Sequence, residues 1–260
     1  MNEFRIKSIV QSLSNIKSTN FFNDICMALS KAIDADFVFI AILSDDNKLA
    51  TTLALVAKGE ISDNFTYLTA QSPYANVADS KACSHRCNVQ ELYPNDQLLI
   101  DMAIEGYVGV PLQNVEGETV AILVSLYQEK IYNTNEVETL FLLFSGLIEK
   151  ELHKRSYVQK LELSNAVIEN SHEAIMICDD KNSIIHANKA FTDITGYSTT
   201  EVLGKTPNLL SSGRHDDKFF QTMWEALKKK GCWQGEIWNK RKNGDLFLEW
   251  LSISSIYNSQ

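Results

Sequence analysis

The chain contains no Gly-x-Ser-x-Gly elbow, no P-loop, no His-Glu-x-x-His pair and no glycine-rich kinase loop. Each of those patterns places a nucleophile, a phosphate cradle or a zinc-bound water, so no catalytic arrangement is visible in the residues. No apolar run approaches the ~20 residues needed to span a bilayer. The start, MNEFRIKSIVQSLSNIKS, is an amphipathic polar segment without the apolar region of a signal peptide. Cysteine is scarce: five residues, an odd number in no regular framework, which reads as reduced thiols rather than a disulfide scaffold. Basic residues are outnumbered, 24 Lys and Arg against 33 Asp and Glu, for a net charge of −9. An acidic chain is a poor fit for non-specific nucleic-acid or anionic-membrane binding. These exclusions predict a soluble, cytoplasmic protein that binds neither nucleic acid nor membrane.

What is present suits two domains of ordinary size: 260 residues, 45% hydrophobic and 22% charged. Phe21 to Ile33 carries Phe22, Ile25, Cys26, Leu29 and Ile33 on one helical face. Asp36 to Leu43 is a short β-rich apolar run ended by Ser44–Asp45–Asp46–Asn47, which predicts a buried strand and a turn, with Leu49 to Val56 returning. Two more strands are expected at Tyr107–Leu112 and Thr119–Tyr127, around Asn114–Val115–Glu116–Gly117. Helix, two strands, a helical middle, two strands and a helix describe an α+β domain with an antiparallel sheet. On Thr51–Thr52–Leu53–Ala54, Ser72–Pro73–Tyr74–Ala75–Asn76–Val77, Leu92–Tyr93–Pro94–Asn95–Asp96 and Tyr107–Val108–Gly109–Val110–Pro111–Leu112, this part resembles a GAF domain. The resemblance covers residues 15–152, after an N-terminal segment 1–14. Tyr74 stands where members often carry Cys, which removes a thiol ligand there. The resemblance does not identify the GAF ligand.

Glu136 to Glu169 contains no Pro, and no Gly but Gly146. Val137, Leu140, Phe144, Leu147, Glu151, Lys154, Val158, Leu161, Asn165 and Ile168 recur every third or fourth residue. Such a stripe predicts a long helix over 136–169 that packs on the first domain and then on a second copy of itself, Asn165 favouring a parallel register. The alternative is a terminal helix followed by a linker.

Farther on, Ala174–Asp179 and Ser183–Ala187 read as strands around Asp180–Lys181–Asn182. Asn188 is an N-cap and Gly196 a helix stop. Asp217–Lys229 is expected to bury Phe220, Met223, Trp224 and Leu227. Trp233–Arg241 and Leu246–Ile256 alternate around the hairpin signal Asn243–Gly244. Through Asn188–Ala190–Phe191, Thr195–Gly196–Tyr197, Glu201–Val202–Leu203–Gly204–Lys205 and Gly235 to Gly244, residues 165–260 resemble a PAS domain. The expected fold class is therefore α+β: two sensory domains with antiparallel sheets, GAF then PAS, joined by a long helix. The PAS resemblance implies five strands in the order 2-1-5-4-3, and four are counted here. The chain is accordingly read as a fragment or a truncated reading frame, with the first and fourth strands open-edged.

Between Gly204 and Asn243 the chain is similar to flavin-binding PAS domains of the redox-sensor type. Two flavin-contacting positions are matched, Trp224 and Asn239; two are not, Met176 standing for Ser and Pro207 for Glu. A flavin (FAD) is one reading of Trp224 and Asn239; a helix core residue and an ordinary strand residue are the other. Haem would need an axial His, and His215 and His172 lie before the elements that would present one. Cys83–Ser84–His85–Arg86–Cys87 has no second Cys/His pair at zinc spacing and reads as a loop with reduced thiols; Cys26, Cys178 and Cys232 read as small apolar fillers.

The combined resemblance implies a non-enzymatic sensory input module of a bacterial signalling protein. It would dimerise through helix 136–169 and act on a C-terminal effector: a diguanylate cyclase, a cyclic-di-GMP phosphodiesterase or a histidine kinase. A flavin-binding redox sensor acting by partner contact, or a non-functional remnant, are the alternatives. If two strand edges are open, limited proteolysis of the 260-residue product will cut within 160–260 faster than within the first domain; equal rates would contradict that expectation.

Overall fold

The computed structural model describes residues 20–70, 72–78 and 82–257; the N-terminal segment 1–14 lies outside them. The chain divides between Tyr157 and Val158 into two compact units.

The first unit opens with helix α1 (Phe21–Ile33), which buries Phe22, Ile25, Cys26 and Leu29 and ends at Asp34 in the left-handed conformation. Strands β1 (Phe37–Leu43), β2 (Leu49–Ala57), β3 (Glu60–Ser62) and β4 (Thr66–Leu68) follow. Helix α2 (Pro73–Ala78), β5 (Cys83–His85), α3 (Val89–Leu92) and α4 (Gln97–Asp101) form the middle. Strands β6 (Gly106–Gln113) and β7 (Thr119–Tyr127) lead into α5 (Thr134–Glu169). The strands form one sheet in the order β3-β2-β1-β7-β6-β5, with β4 also on β2, and every pairing is antiparallel. The unbroken apolar run of β1 has a plain cause: both of its faces are covered. Val38 and Ile40 join α1 and the start of α5 in one core, whereas Phe37, Phe39, Ala41 and Leu43 point into a second core on the other face.

Three short strands, β3 to β5, are additions to the four expected ones. Cys83–Ser84–His85, expected as a loop, is β5, held by Cys83 opposite Gly109 and His85 opposite Tyr107. A three-residue strand is too short to show periodicity, so its pairing with β6 decides it.

The predicted long helix is continuous over 36 residues. Its first turns bury Val137, Leu140, Phe141, Phe144 and Ile148 against the α1 face. Polar bonds then hold it. Gln113 donates its backbone N–H to Glu149 Oε1 (2.9 Å), His153 Nε2 donates to the Gln113 carbonyl (2.8 Å), and the Arg155 guanidinium lies 4.4 Å over the Phe22 ring. Farther along, the expected stripe is uncovered: Leu147 is 41% exposed, Val158 43% and Leu161 53%.

In the second unit β8 (Met176–Cys178) pairs β9 (Ile184–Ala187), and β10 (Cys232–Lys240) pairs β11 (Leu246–Ser254). Among the described residues these are separate two-stranded sheets. Between them lie α6 (Lys189–Thr195), α7 (Thr199–Val202), a 3-10 turn (Pro207–Leu210) and α8 (Asp217–Lys230). The core is small: Ile184, Ala187, Phe191, Val202 and Leu210.

Two burial expectations are corrected. Trp224 is 42% exposed, because the α8 face on β10 is set by Met223 and Leu227 at i, i+4, and Trp224 is one step round the helix. Cys232 is exposed at the start of β10, and Cys178 is half-buried against the core of Ile184, Ala187 and Phe191; Cys26, fully buried, is the apolar filler expected, and burial pushes its thiol far above the usual range.

Asn188 is the polar centre of this unit and is fully buried. Its Oδ1 accepts from Phe191 N–H (3.0 Å) and Ile175 N–H (2.9 Å), while Nδ2 donates to the carbonyls of Ile168 and Glu173 (3.0 Å each). One amide thus caps α6, fixes the entry to β8 and satisfies a carbonyl in the last turn of α5. Replacing it strands several buried groups at about 1–3 kcal/mol each. Asn188→Ala is expected to lower the denaturation midpoint of the second unit by about 3 kcal/mol or more in stability. Tryptophan fluorescence reads this selectively, because all four tryptophans (224, 233, 238 and 250) lie in that unit.

Candidate ligand site

The face of the first sheet opposite α1 and α5 carries an aromatic cluster. Phe39 comes from β1, Tyr67 from β4, Tyr74 from α2 and Tyr107 from β6, with Phe65 beside them. Ring centroids are 4.7 Å apart for Tyr67–Tyr74, 5.4 Å for Tyr74–Tyr107 and 5.9 Å for Phe39–Tyr67. Tyr107 lies along its own strand over Gly109, where any Cβ would overlap its hydroxyl and ring. Glycine at 109 is therefore what lets the Tyr107 hydroxyl turn inward.

Hydroxyls in such a place should be paired, and these are not. The Oη atoms of Tyr67, Tyr74 and Tyr107 and the Oδ2 of Asp96 are buried without a hydrogen-bond partner among the described residues. Tyr74 and Tyr107 are wholly buried residues. Asp96 uses its other oxygen, Oδ1, to cap α4 by accepting from the N–H groups of Leu98 (3.1 Å) and Leu99 (3.3 Å). Burial raises the Asp96 carboxyl above the ordinary range, opposed by those two backbone bonds. The three phenols are raised well above theirs, first by burial and then by one another and Asp96. Tyr74 touches both other phenol rings, and Leu98 and Leu99, whose N–H groups bond to Asp96, pack in the same core.

At the edge of the cluster, Cys83 Sγ lies 3.3 Å and Tyr93 Oη 3.4 Å from His85 Nε2. The His85 ring sits 6.3 Å from that of Tyr107, and burial lowers its affinity for a proton. Cys83 and His85 share a strand face because they are two residues apart. Of this constellation, Tyr74, Asp96, Tyr107 and Gly109 belong to the landmarks that carried the GAF resemblance. Their convergence was not legible; the one signal was aromatic and acidic residues in otherwise apolar positions.

In the second unit the two flavin-matching positions are placed as follows. Asn239 is 7% exposed on β10, and its Nδ2 donates to Glu249 Oε1 on β11 (2.7 Å). Burial raises the Glu249 carboxyl, against the pull of Asn239 and Arg241. Trp224 is on α8, partly in solvent. Of the unmatched pair, Met176 is half-buried in β8 and Pro207 opens the 3-10 turn. The Asn239 Nδ2 is thus engaged by Glu249, and Trp224 is 42% exposed. His215 Nε2 accepts the N–H of Trp238 (2.9 Å), with its ring stacked on Phe219 at 4.0 Å; this lone pair is already used and does not fit an axial haem ligand.

A family model described as "PAS domain" matches residues 172–260. The nitrogen fixation regulatory protein of Klebsiella oxytoca is 35% identical over 94 residues, 36% of this chain and 19% of that protein. The aerotaxis receptor of Escherichia coli is 36% identical over 81 residues, 30% of this chain and 15% of that one. The chain thus spans about a fifth of the length of the curated relatives it matches. Among solved structures, the GAF domain of an Acinetobacter phosphoenolpyruvate-protein phosphotransferase covers 62% of this chain and is itself covered over 99%, at 11% identity and a TM-score of 0.47. A PAS domain from Colwellia psychrerythraea covers 38% of this chain and is covered over 84%, at 24% identity and a TM-score of 0.36.

Among the described residues no helix is long and apolar enough to cross a membrane. An unpartnered buried hydroxyl costs about 1–3 kcal/mol. Tyr107→Phe is therefore expected to raise the stability of the ligand-free first unit by about 1 kcal/mol in chemical denaturation; a loss of stability would mean that the hydroxyl is already paired.

Proposed function

We propose, from the premise that residues 172–260 are a PAS domain, that this chain is a sensory input module of a bacterial signal-transduction protein. The first unit takes a small ligand in the aromatic cluster. Helix α5 pairs with the α5 of a second copy. The PAS domain passes the combined state to an effector carried by a longer polypeptide: a diguanylate cyclase, a cyclic-di-GMP phosphodiesterase or a histidine kinase. The chain itself is regulatory rather than catalytic, acts in the cytoplasm, and uses neither nucleic acid nor a membrane. Relatives named as a nitrogen fixation regulator, an aerotaxis receptor and a blue-light-activated histidine kinase of Brucella anthropi support a sensory role.

The observation that carries the reading is the character of α5. It is one unbroken helix whose early turns are buried in the first unit, whose last turn bonds to Asn188, and whose free stripe is apolar at Leu147, Val158 and Leu161. An isolated helix with that stripe in water is poorly satisfied; a parallel partner buries it. Light scattering coupled to gel filtration is expected to give a dimer for the full chain. The double variant Leu147→Glu, Leu161→Glu is expected to give a monomer with unchanged helix content. A monomeric wild type at micromolar concentration would overturn the pairing.

A further inference from the structure

The unpartnered groups of the aromatic cluster are chemically one-sided. Tyr67 Oη, Tyr74 Oη, Tyr107 Oη and Asp96 Oδ2 are all oxygens, and all are buried. Ionisable groups acting on the three phenols are Asp96, Cys83, Tyr93 and the phenols themselves, every one an acid. Burial lowers the proton affinity of the nearest imidazole, His85. Among the described residues no cation is recorded beside any of these groups.

This constrains what can complete the site. A phosphate or carboxylate would lie against Asp96 with no counter-charge in the described shell, a like-charge contact in a poorly solvated place. A donor-rich cation meets the opposite situation. Asp96 Oδ2 offers a charge-assisted acceptor, the phenol oxygens accept further N–H groups, and the faces of Phe39, Tyr67, Tyr74 and Tyr107 carry the negative quadrupole that attracts positive charge. Tyr67 is half-buried and stands on a three-residue strand paired with β2.

Resting on the reading that the first unit takes a small ligand, we infer that this ligand is an organic cation. It would be an ammonium or amidinium on a compact apolar body, with Asp96 as counter-ion and the tyrosine hydroxyls as acceptors.

Three probes of one size separate the chemistries: benzylamine, benzyl alcohol and benzoate, titrated calorimetrically into the full chain at neutral pH. Benzylamine is expected to bind roughly tenfold or more tighter than benzyl alcohol, and benzoate not at all. Asp96→Asn keeps the α4 cap, since Asn caps as Asp does. It is expected to bring benzylamine down to the level of benzyl alcohol without lowering the melting temperature of the free protein by more than a few degrees. Binding of benzoate or benzyl alcohol at least as tight as benzylamine would overturn the cation assignment and leave the ligand site standing. Benzylamine binding that is unchanged in both Asp96→Asn and Tyr107→Phe would also overturn the assignment, by placing the cation elsewhere. No binding of any probe at millimolar concentration would remove the site along with the inference.

Discussion

The sheet of the first unit is apolar on both faces, and both must be covered. That single constraint places everything else in the unit. Strand residues alternate, so Val38 and Ile40 face the helical layer while Phe39 between them faces the aromatic cluster. Tyr107 and Val108 are divided in the same way on β6. Helix α5 and the candidate ligand site are therefore separated by one thickness of backbone. A ligand that shifts Tyr107 acts on a strand whose next residue packs in the same core as Phe141 and Phe144 of α5. Interiors at crystalline packing density pass such displacements on, because there is no free volume to absorb them.

The far end of α5 meets a different kind of contact. Where the first unit holds the helix by apolar burial, the second holds it by directional bonds through Asn188, with the Glu169 carboxylate accepting the Lys189 N–H and lying 3.4 Å from His186. Apolar contacts tolerate sliding; a buried amide with four partners does not, since a small rotation leaves several groups unpaired at once. The same side chain caps α6 and sets the entry to β8. A change in the last turn of α5 is thus a change in the polar frame of the second unit's core.

Much of this was legible in the sequence. Phe21–Ile33 and β1 were plain because strong apolar periodicity, or an unbroken apolar run closed by turn residues, dominates any local competitor, whereas the long helix, its stripe broken at Glu151 and Lys154, left a terminal helix and linker open beside it. Asn188 and Gly196 announced a helix start and stop, and both do that work, Gly196 at φ 77. The failures share a cause. Strands β3, β4 and β5 have three residues each and exist only through their partners. Trp224 was misplaced because a helix shows its apolar residues in sequence but not how narrow a face its neighbour covers. Cys83 and His85 look like loop residues until β6 lies alongside. In the candidate site, Tyr74, Asp96 and Tyr107 could be read as landmarks and Tyr67 could not, and their grouping is a tertiary fact: it joins a strand, a helix, a cap and another strand.

The cost of that convergence gives it meaning. Phenylalanine would fill the same volume at 67, 74 and 107 without an unpartnered hydroxyl, and each such group costs about 1–3 kcal/mol in the closed form. A hydrogen-bonding ligand at the proposed site would relieve that cost. A ligand shifts a two-state equilibrium only by its differential affinity for the two states, and moving one from mostly off to mostly on takes about 5.5 kcal/mol. Pairing three or four buried oxygens at once supplies energy of that order, whereas an apolar ligand of the same size would leave them stranded. On the proposed reading, the oxygens that make the cluster costly also favour a hydrogen-bond donor, and the sheet beneath them would carry that selection to α5.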